Sequence, residues 1–173
     1  MYIVKKLSDN SKEYLDTYYD IIDEIQRRVN ELEPSTSISG MFINQIIPIL
    51  EGGIKMSDNI LHYTTMVEIE NLAKDITEKN NNFIQKLNDI YENCKCECNN
   101  ERDVKIYTRK FNDIFNKMIQ TLNEINVSNN VNALFLNSMI ILNEHIIMLI
   151  KNLLSFGTCQ ELKVIALEMV TYY

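Results

Sequence analysis

Residues 42–61, FINQIIPILEGGIKMSDNIL, recur 93 residues later as residues 135–154, FLNSMIILNEHIIMLIKNLL. Phenylalanine, asparagine, glutamate and leucine return at matched places in the two segments, which align without a gap. The match extends outward, from Tyr14 and Tyr107 on one side to Ala73 and Ala166 on the other. Self-similarity at one fixed offset is the signature of a repeated structural unit. The sequence therefore predicts two tandem copies of one unit.

Apolar residues inside each copy follow the helical period rather than the alternation of a strand. Tyr14, Tyr18, Ile21 and Ile25 are three or four residues apart, a spacing that places them on one face of a helix. The chain of 173 residues contains only 4 Gly and 2 Pro, which leaves little material for the turns of a β-rich fold. We expect an all-α protein in which each copy forms three helices.

Local signals predict where these helices begin and end. Pro34 and the serines that follow it separate the first helix from the second, and Gly157 predicts a left-handed end to the fifth helix. A Thr followed three residues later by Glu predicts a capping box at the start of a helix. The third and sixth helices each carry one, Thr65 with Glu68 and Thr158 with Glu161.

The predicted organisation is one compact domain made of two repeats. Residues 1–95 form the first three-helix repeat, residues 96–103 a linker rich in cysteine and charge, and residues 104–173 the second repeat. The last helix of the second repeat is shorter than its counterpart. We expect the wide apolar faces of the second and fifth helices to pack together about a pseudo-two-fold axis. The shorter last helix leaves part of this core open, and a second subunit in a homodimer or another protein would cover it.

Composition and charge argue against several classes of partner. The net charge is -7 and no cluster of Lys and Arg is present, whereas nucleic-acid binding needs a basic face. The apolar run of residues 133–156 contains Glu144 and Lys151, which are costly inside a bilayer, so we expect a buried core helix and no membrane partner. Residues 1–6 turn polar before any apolar segment forms, so no secretory signal is expected. The predicted location is the cytoplasm, where thiols stay reduced.

Residues 42–57, FINQIIPILEGGIKMS, and the stretch after them carry a resemblance to a known family. They resemble the signature F-x-x-x-M-I-P-H-H-E-G-A-I-x-M-S-x-N-x-L of the family catalogued as domain of unknown function 305. The match is most specific at Ile47-Pro48 and at Glu51-Gly52. The resemblance covers nearly the whole chain and implies a ferritin-like helical bundle. It also implies a link to copper, which some family members bind through His and Met side chains.

Of the residues that would bind the metal, Glu51 and Met56 match the signature in the first copy, whereas the histidine pair departs from it. The histidine pair of the family falls on Ile49 and Leu50 in the first copy and on Leu142 and Asn143 in the second. None of these four side chains is an imidazole, so the family site is degenerate. The sequence therefore predicts a non-enzymatic helical bundle with a structural or protein-interaction role.

The cysteines suggest an alternative function. Cys94, Cys96 and Cys98 lie within five residues, and Cys159 lies at the turn before the sixth helix. If successive helices are antiparallel, this turn and the end of the third helix lie at the same end of the bundle. Four converging thiolates would bind a soft ion, either Cu(I) or Zn(II). The alternative to metal binding is that the cysteines are unpaired thiols in a reducing cell.

A second, weaker candidate metal site consists of Glu144, His145 and Met148 on the fifth helix. His145 and Met148 are three residues apart and so share a face of the helix. The chain has only two histidines, and no nucleophile with a nearby general base is evident. We predict no catalytic or cofactor-binding residues, no certain cofactor, and a protein that is not an enzyme.

Overall fold

The computed structural model describes residues 6–173, and every regular element in that range is a helix. The helices are α1 (Asp9–Asn30), α2 (Ile38–Leu61), α3 (Val67–Cys94), α4 (Glu101–Asn123), α5 (Val131–Leu154) and α6 (Gln160–Tyr172). The predicted all-α fold with six helices is confirmed for this part of the chain.

Short polar side chains begin four of the six helices. Each accepts a hydrogen bond from a backbone amide in the first helical turn, which would otherwise lack a partner. The capping residues are Ser8 for α1, Ser37 for α2, Asn100 for α4 and Asn130 for α5. Because Asn100 caps α4, this helix begins at Glu101, within the stretch of residues 96–103 that the sequence predicts to be a linker.

The two predicted capping boxes are wrong. The N-caps of α3 and α6 are Met66 and Cys159, and neither side chain makes a capping bond. In the first case Thr64 Oγ1 accepts the hydrogen bond of the Met66 amide at 3.2 Å. In the second case the Cys159 amide donates to Ser39 Oγ at 3.0 Å. Contacts of the preceding loops therefore replace the local capping pattern.

Gly157 does not form a left-handed cap. No residue of the described chain has a positive φ, and α5 already ends at Leu154 with Ser155 as a right-handed C-cap. The Gly157 carbonyl instead accepts a hydrogen bond from Asn99 Nδ2 at 2.8 Å. The turn before α6 is thus fixed from outside by a side chain, so it does not need the conformational freedom of glycine.

Helices α2 and α5 lie at the centre of the bundle. Helix α2 packs on α1, α3 and α5, and α5 packs on α4, α2 and α6. The remaining helices enclose these two, and Ile and Leu side chains make up most of the core, together with buried Tyr and Phe rings. Of the described helices, α5 alone is long and apolar enough to cross a membrane, with a mean hydropathy of 1.8, and half of that stretch is buried in the bundle.

Matching contacts occur 93 residues apart. Asn59 Nδ2 donates to the Tyr14 carbonyl at 3.0 Å, and Asn152 Nδ2 donates to the Tyr107 carbonyl at 3.2 Å. Tyr14 also packs edge-to-face on Tyr63, as Tyr107 does on Phe156, with ring centroids 5.7 Å and 6.0 Å apart. Each of these contacts joins the first helix of a predicted repeat to the C-terminal part of its second helix or the turn that follows it.

Candidate functional site

The candidate site lies at the end of the bundle where α3 ends and α6 begins. Cys94 is the last residue of α3, and Cys159 is the N-cap of α6. The two residues are paired as a disulfide, with their Cα atoms 5.5 Å apart although they are separated by 65 positions in sequence. Both side chains are buried. The structure therefore brings two of the four predicted thiols together.

The other two cysteines do not join this pair. Cys96 and Cys98 are free and exposed in the segment between α3 and α4. The Cys96 thiol donates to the carbonyl of Glu92 at 3.3 Å, and Cys98 Sγ lies 3.5 Å from Thr36 Oγ1. Since these contacts hold the two thiols at the surface, the four-cysteine convergence expected from the sequence does not form.

Asn99 fixes the loops around the cysteine pair. Its side-chain oxygen accepts from the Ile38 amide at 2.9 Å, and its side-chain nitrogen donates to the Gly157 carbonyl. Its own amide donates to the Thr36 carbonyl at 2.9 Å. One half-buried asparagine thus connects the α1–α2, α3–α4 and α5–α6 loops. Sequence reasoning missed this role, and its only signal was an asparagine pair in a short polar link.

Two serines at the start of α2 hold the backbone of the cysteine pair. Ser37 Oγ donates to the Cys94 carbonyl at 3.0 Å, and Ser39 Oγ accepts from the Cys159 amide. Both serines are almost fully buried. Because they anchor one cysteine each, the start of α2 sets the distance between the end of α3 and the start of α6.

Glu161 adds a third side chain with metal-binding chemistry. A carboxylate oxygen of Glu161 and the sulfur atoms of Cys94 and Cys159 all lie within 4.8 Å of one another. Glu161 is exposed, so its carboxylate can also reach solvent. Two thiolates and a carboxylate are a ligand set that suits Zn(II). This set needs both cysteines reduced, since a disulfide carries no thiolate. The sequence interpretation gave Glu161 only a capping role.

The structure does not assemble the second candidate set on α5. His145 is buried, and its Nδ1 atom lies 2.7 Å from the carbonyl oxygen of Ile141 on the same helix. Glu144 is exposed, and Met148 is 47% exposed. His145 and Met148 therefore differ in environment despite their helical spacing, because His145 lies at the margin of the core.

Hydrocarbon fills most of the positions on which the sequence resemblance places a histidine pair. Ile49 and Leu50 are fully buried, Leu142 is only 1% exposed, and Asn143 is half-buried. The Leu50 carbonyl accepts a hydrogen bond from the buried amide of Asn80 at 2.9 Å. These positions thus serve packing and backbone hydrogen bonding.

A separate cavity of about 300 Å³ lies between α1, α2 and α4. Amide side chains, among them Gln45 and Asn112, line it together with apolar carbon from Met41 and Phe111. The buried Tyr107 hydroxyl donates to Gln45 Oε1 at 2.6 Å. Burial raises the pKa of Tyr107 well above its ordinary value, so this hydroxyl stays a neutral donor.

No protein-family model, curated protein or solved structure matches this chain. The resemblance to the domain of unknown function 305 family therefore remains a prediction from the sequence pattern.

Proposed function

We propose that this chain is a non-enzymatic, ferritin-like helical bundle whose role is to bind another protein. In this proposal two tandem three-helix repeats form the bundle, and the metal site of the domain of unknown function 305 family is degenerate. The partner is a second copy or another protein, and nucleic acid and membranes are not partners. The proposed location is the cytoplasm.

The helix boundaries support the two-repeat arrangement. Helix α5 begins and ends 93 residues after α2, and α6 begins 93 residues after α3. The Asn59–Tyr14 hydrogen bond has its counterpart in the Asn152–Tyr107 bond. Matched boundaries and matched contacts are expected when two copies of one unit fold alike.

The buried hydrocarbon supports the loss of the family site. Ile49, Leu50 and Leu142 occupy positions where the family has histidine, and all three are buried. Burying an aliphatic side chain of this size stabilises a fold by roughly 1.5–3 kcal/mol. These positions contribute to the core and offer no ligand atom to a metal.

The observation that carries the interaction role is an apolar surface on the central helix α5. Leu136 and Ile140 are 36% and 55% exposed, although α5 lies at the centre of the bundle. Their counterparts in the first repeat, Ile43 and Ile47, are fully buried and half-buried. An apolar surface on a central helix is a common feature of interaction sites.

The proposal is tested by comparing two charged variants of the same chain. Ile140→Lys places a charge on the apolar surface of α5, whereas Leu167→Lys places one on α6, where Leu167 is similarly exposed. Circular dichroism first establishes that both variants fold. We expect a protein captured from cells, or self-association measured by sedimentation, to be lost in Ile140→Lys and kept in Leu167→Lys. Equal behaviour of both variants and the wild type would contradict an interaction role for this surface.

A second candidate function is soft-metal binding, favoured by the closeness of Cys94, Cys159 and Glu161. In a reducing cytoplasm Cys94 and Cys159 would be free thiols able to bind Zn(II) or Cu(I) as thiolates. Elemental analysis and competition with a chelator measure this binding on the reduced protein. We expect Cys159→Ser to remove it and Cys96→Ser, the matched control at the surface, to leave it intact. Binding that survives Cys159→Ser would exclude this site.

A further inference from the structure

The second half of α3 provides the cover that α5 lacks. In the first repeat this segment lies along the first half of α2, where Asn44 Nδ2 donates to Tyr91 Oη at 3.1 Å. A Cβ built on Gly40 would lie 3.1 Å from the Cα atom of Lys95. Under this cover Ile43 is fully buried. Among the described residues nothing covers α5 in the same way, since Leu136 and Ile140, the counterparts of Ile43 and Ile47, are 36% and 55% exposed.

Residues at the start of α3 are likewise more exposed than their counterparts at the start of α6. Cys159 and Ile165, at the start of α6, are buried, and Cys159 is linked to the last residue of α3. Their counterparts 93 residues earlier, Met66 and Leu72, are 48% and 36% exposed. Leu136, Ile140, Met66 and Leu72 are therefore the positions that a helix equivalent to the second half of α3 would cover. We call these four residues the open face.

The charge beside the open face indicates that a helix bound there carries a basic residue. Lys86 of α3, in the first repeat, forms an ion pair with Glu168 of α6, in the second, at 2.6 Å. The counterpart of Glu168 is Asp75, an exposed carboxylate whose oxygen accepts from the Tyr172 hydroxyl at 2.9 Å. A basic residue at the place equivalent to Lys86 would complement Asp75. The net charge of -7 further favours a basic occupant.

We propose that the open face binds an amphipathic helix from another protein. This helix has apolar residues at the spacing of Phe83, Leu87, Ile90 and Cys94 and a Lys or Arg at the place equivalent to Lys86. The proposal rests on the interaction role and the two-repeat arrangement proposed above. An apolar helix face seated in a groove is a common form of peptide recognition, with anchors three or four residues apart.

Two other occupants are less suited to this surface. A second copy of this chain has its own 81–94 segment engaged with α2 and α6, through contacts such as Tyr91–Asn44 and Phe83–Tyr172. An anionic lipid surface would be repelled by the net charge of -7. A basic amphipathic helix would both cover the apolar residues of the open face and pair a positive charge with the Asp75 carboxylate.

The closing experiment uses the full chain and a peptide copy of its own covering segment. The labelled peptide comprises residues 78–95 with Cys94→Ser, and fluorescence anisotropy follows its binding to the protein. We expect saturable binding with a gain of helicity in the peptide, since isolated short helices are marginal in water. Ile140→Asp in the protein should weaken binding by about tenfold or more, as loss of a central apolar anchor does. Leu167→Asp is the matched control and should leave the affinity unchanged.

A charge exchange tests the predicted register. Asp75→Lys in the protein should weaken binding severalfold, and Lys86→Glu in the peptide should restore it. Absence of saturable binding, or an affinity that Ile140→Asp leaves unchanged, would overturn the proposal. Two further results would overturn it. In the first, the wild type is a dimer by sedimentation and Ile140→Asp abolishes that dimer. In the second, the wild type binds phosphatidylserine vesicles and Ile140→Asp abolishes that binding. If a cellular partner depends on Ile140 but no helical peptide binds, the interaction role stands and the helical class of partner is wrong.

Discussion

Asn59 and Asn152 make the same hydrogen bond in two places in the chain. Each buried amide donates to the carbonyl of a buried tyrosine in the preceding helix, Tyr14 in one case and Tyr107 in the other. Those carbonyls belong to helices α1 and α4, so each asparagine fastens two helices together. Removal of the amide leaves a buried carbonyl with one partner fewer, which costs roughly 1–3 kcal/mol.

We therefore expect Asn59→Ala and Asn152→Ala each to lower the free energy of unfolding by roughly 1–3 kcal/mol. The two losses should be similar, because the contacts are matched. Chemical denaturation with a fixed m-value measures both. Asn88→Ala, at an exposed position of α3, is the control and should change stability by no more than about 0.5 kcal/mol. A large loss in only one of the two variants would contradict equivalent roles.

Among elements, α3 and α6 are joined by a covalent link and by polar and aromatic contacts. The disulfide connects Cys94 to Cys159, Lys86 pairs with Glu168, and Phe83 packs on Tyr172. Helix α6 is thus held along its length by the second half of α3.

Loss of the disulfide should therefore free α6 first. A link across 65 residues is expected to stabilise the folded state by about 4 kcal/mol, because it restricts the unfolded chain. Cys159→Ser should lower the unfolding temperature of the oxidised protein, and reductant should bring the wild type close to the variant. Thermal unfolding with and without reductant measures this, together with alkylation of free thiols. Cys96→Ser is the control, and identical oxidised and reduced wild-type curves would show that the link does not form.

The helices were predictable from the sequence because the helical spacing of apolar residues is contained within each helix. Apolar residues such as Tyr14, Tyr18 and Ile25 recur at helical spacing, and all three are buried in the structure. The starts of α3 and α6 were not predictable, since contacts of their loops set them. Cys159 acts as the N-cap because Ser39, which lies 120 residues away in sequence, accepts its amide hydrogen bond.

The candidate site was predictable only in part for the same reason. Antiparallel helices placed Cys94 near Cys159, and this juxtaposition follows from helix order alone. The surface positions of Cys96 and Cys98 depend on the hydrogen bonds that hold the 95–100 loop in place, chiefly those of the Asn99 side chain. Glu161 was missed because its role depends on two sulfur atoms that are distant in sequence from one another.

At the scale of the whole molecule, the core contains several buried phenols. Tyr14, Tyr18, Tyr107 and Tyr173 lie within or beside it, and burial is the main cause that raises the pKa of each. Burial raises the pKa of Tyr18 to about 12, although the nearby Ser138 hydroxyl lowers it in part. The Tyr18 hydroxyl donates to the Leu122 carbonyl at 2.8 Å, a bond that only the neutral phenol can make.

These shifts predict unfolding at alkaline pH. The folded-state pKa of Tyr18 lies above its ordinary value of 10.0, so the unfolded chain loses its phenolic proton first. The stability conferred by neutral tyrosines is fully present below about pH 10 and declines as the pH rises from about 10 to 12. For Tyr18 the loss amounts to about 3 kcal/mol or less. Urea unfolding across this pH range, followed together with tyrosinate absorbance, measures the decline.

A phenylalanine substitution separates ionisation from packing. Tyr18→Phe keeps the ring in the core and removes the ionisable hydroxyl, so it should cost about 1 kcal/mol at neutral pH through the lost bond to Leu122. Its stability should then fall less steeply than that of the wild type between about pH 10 and 12, because one fewer phenol ionises on unfolding. Tyr19→Phe, on the same helix and half-buried, is the matched control and should retain the wild-type slope. If Tyr18→Phe and the wild type decline in parallel, the ionisation of Tyr18 does not drive the alkaline transition, and the ionisation of other groups governs it.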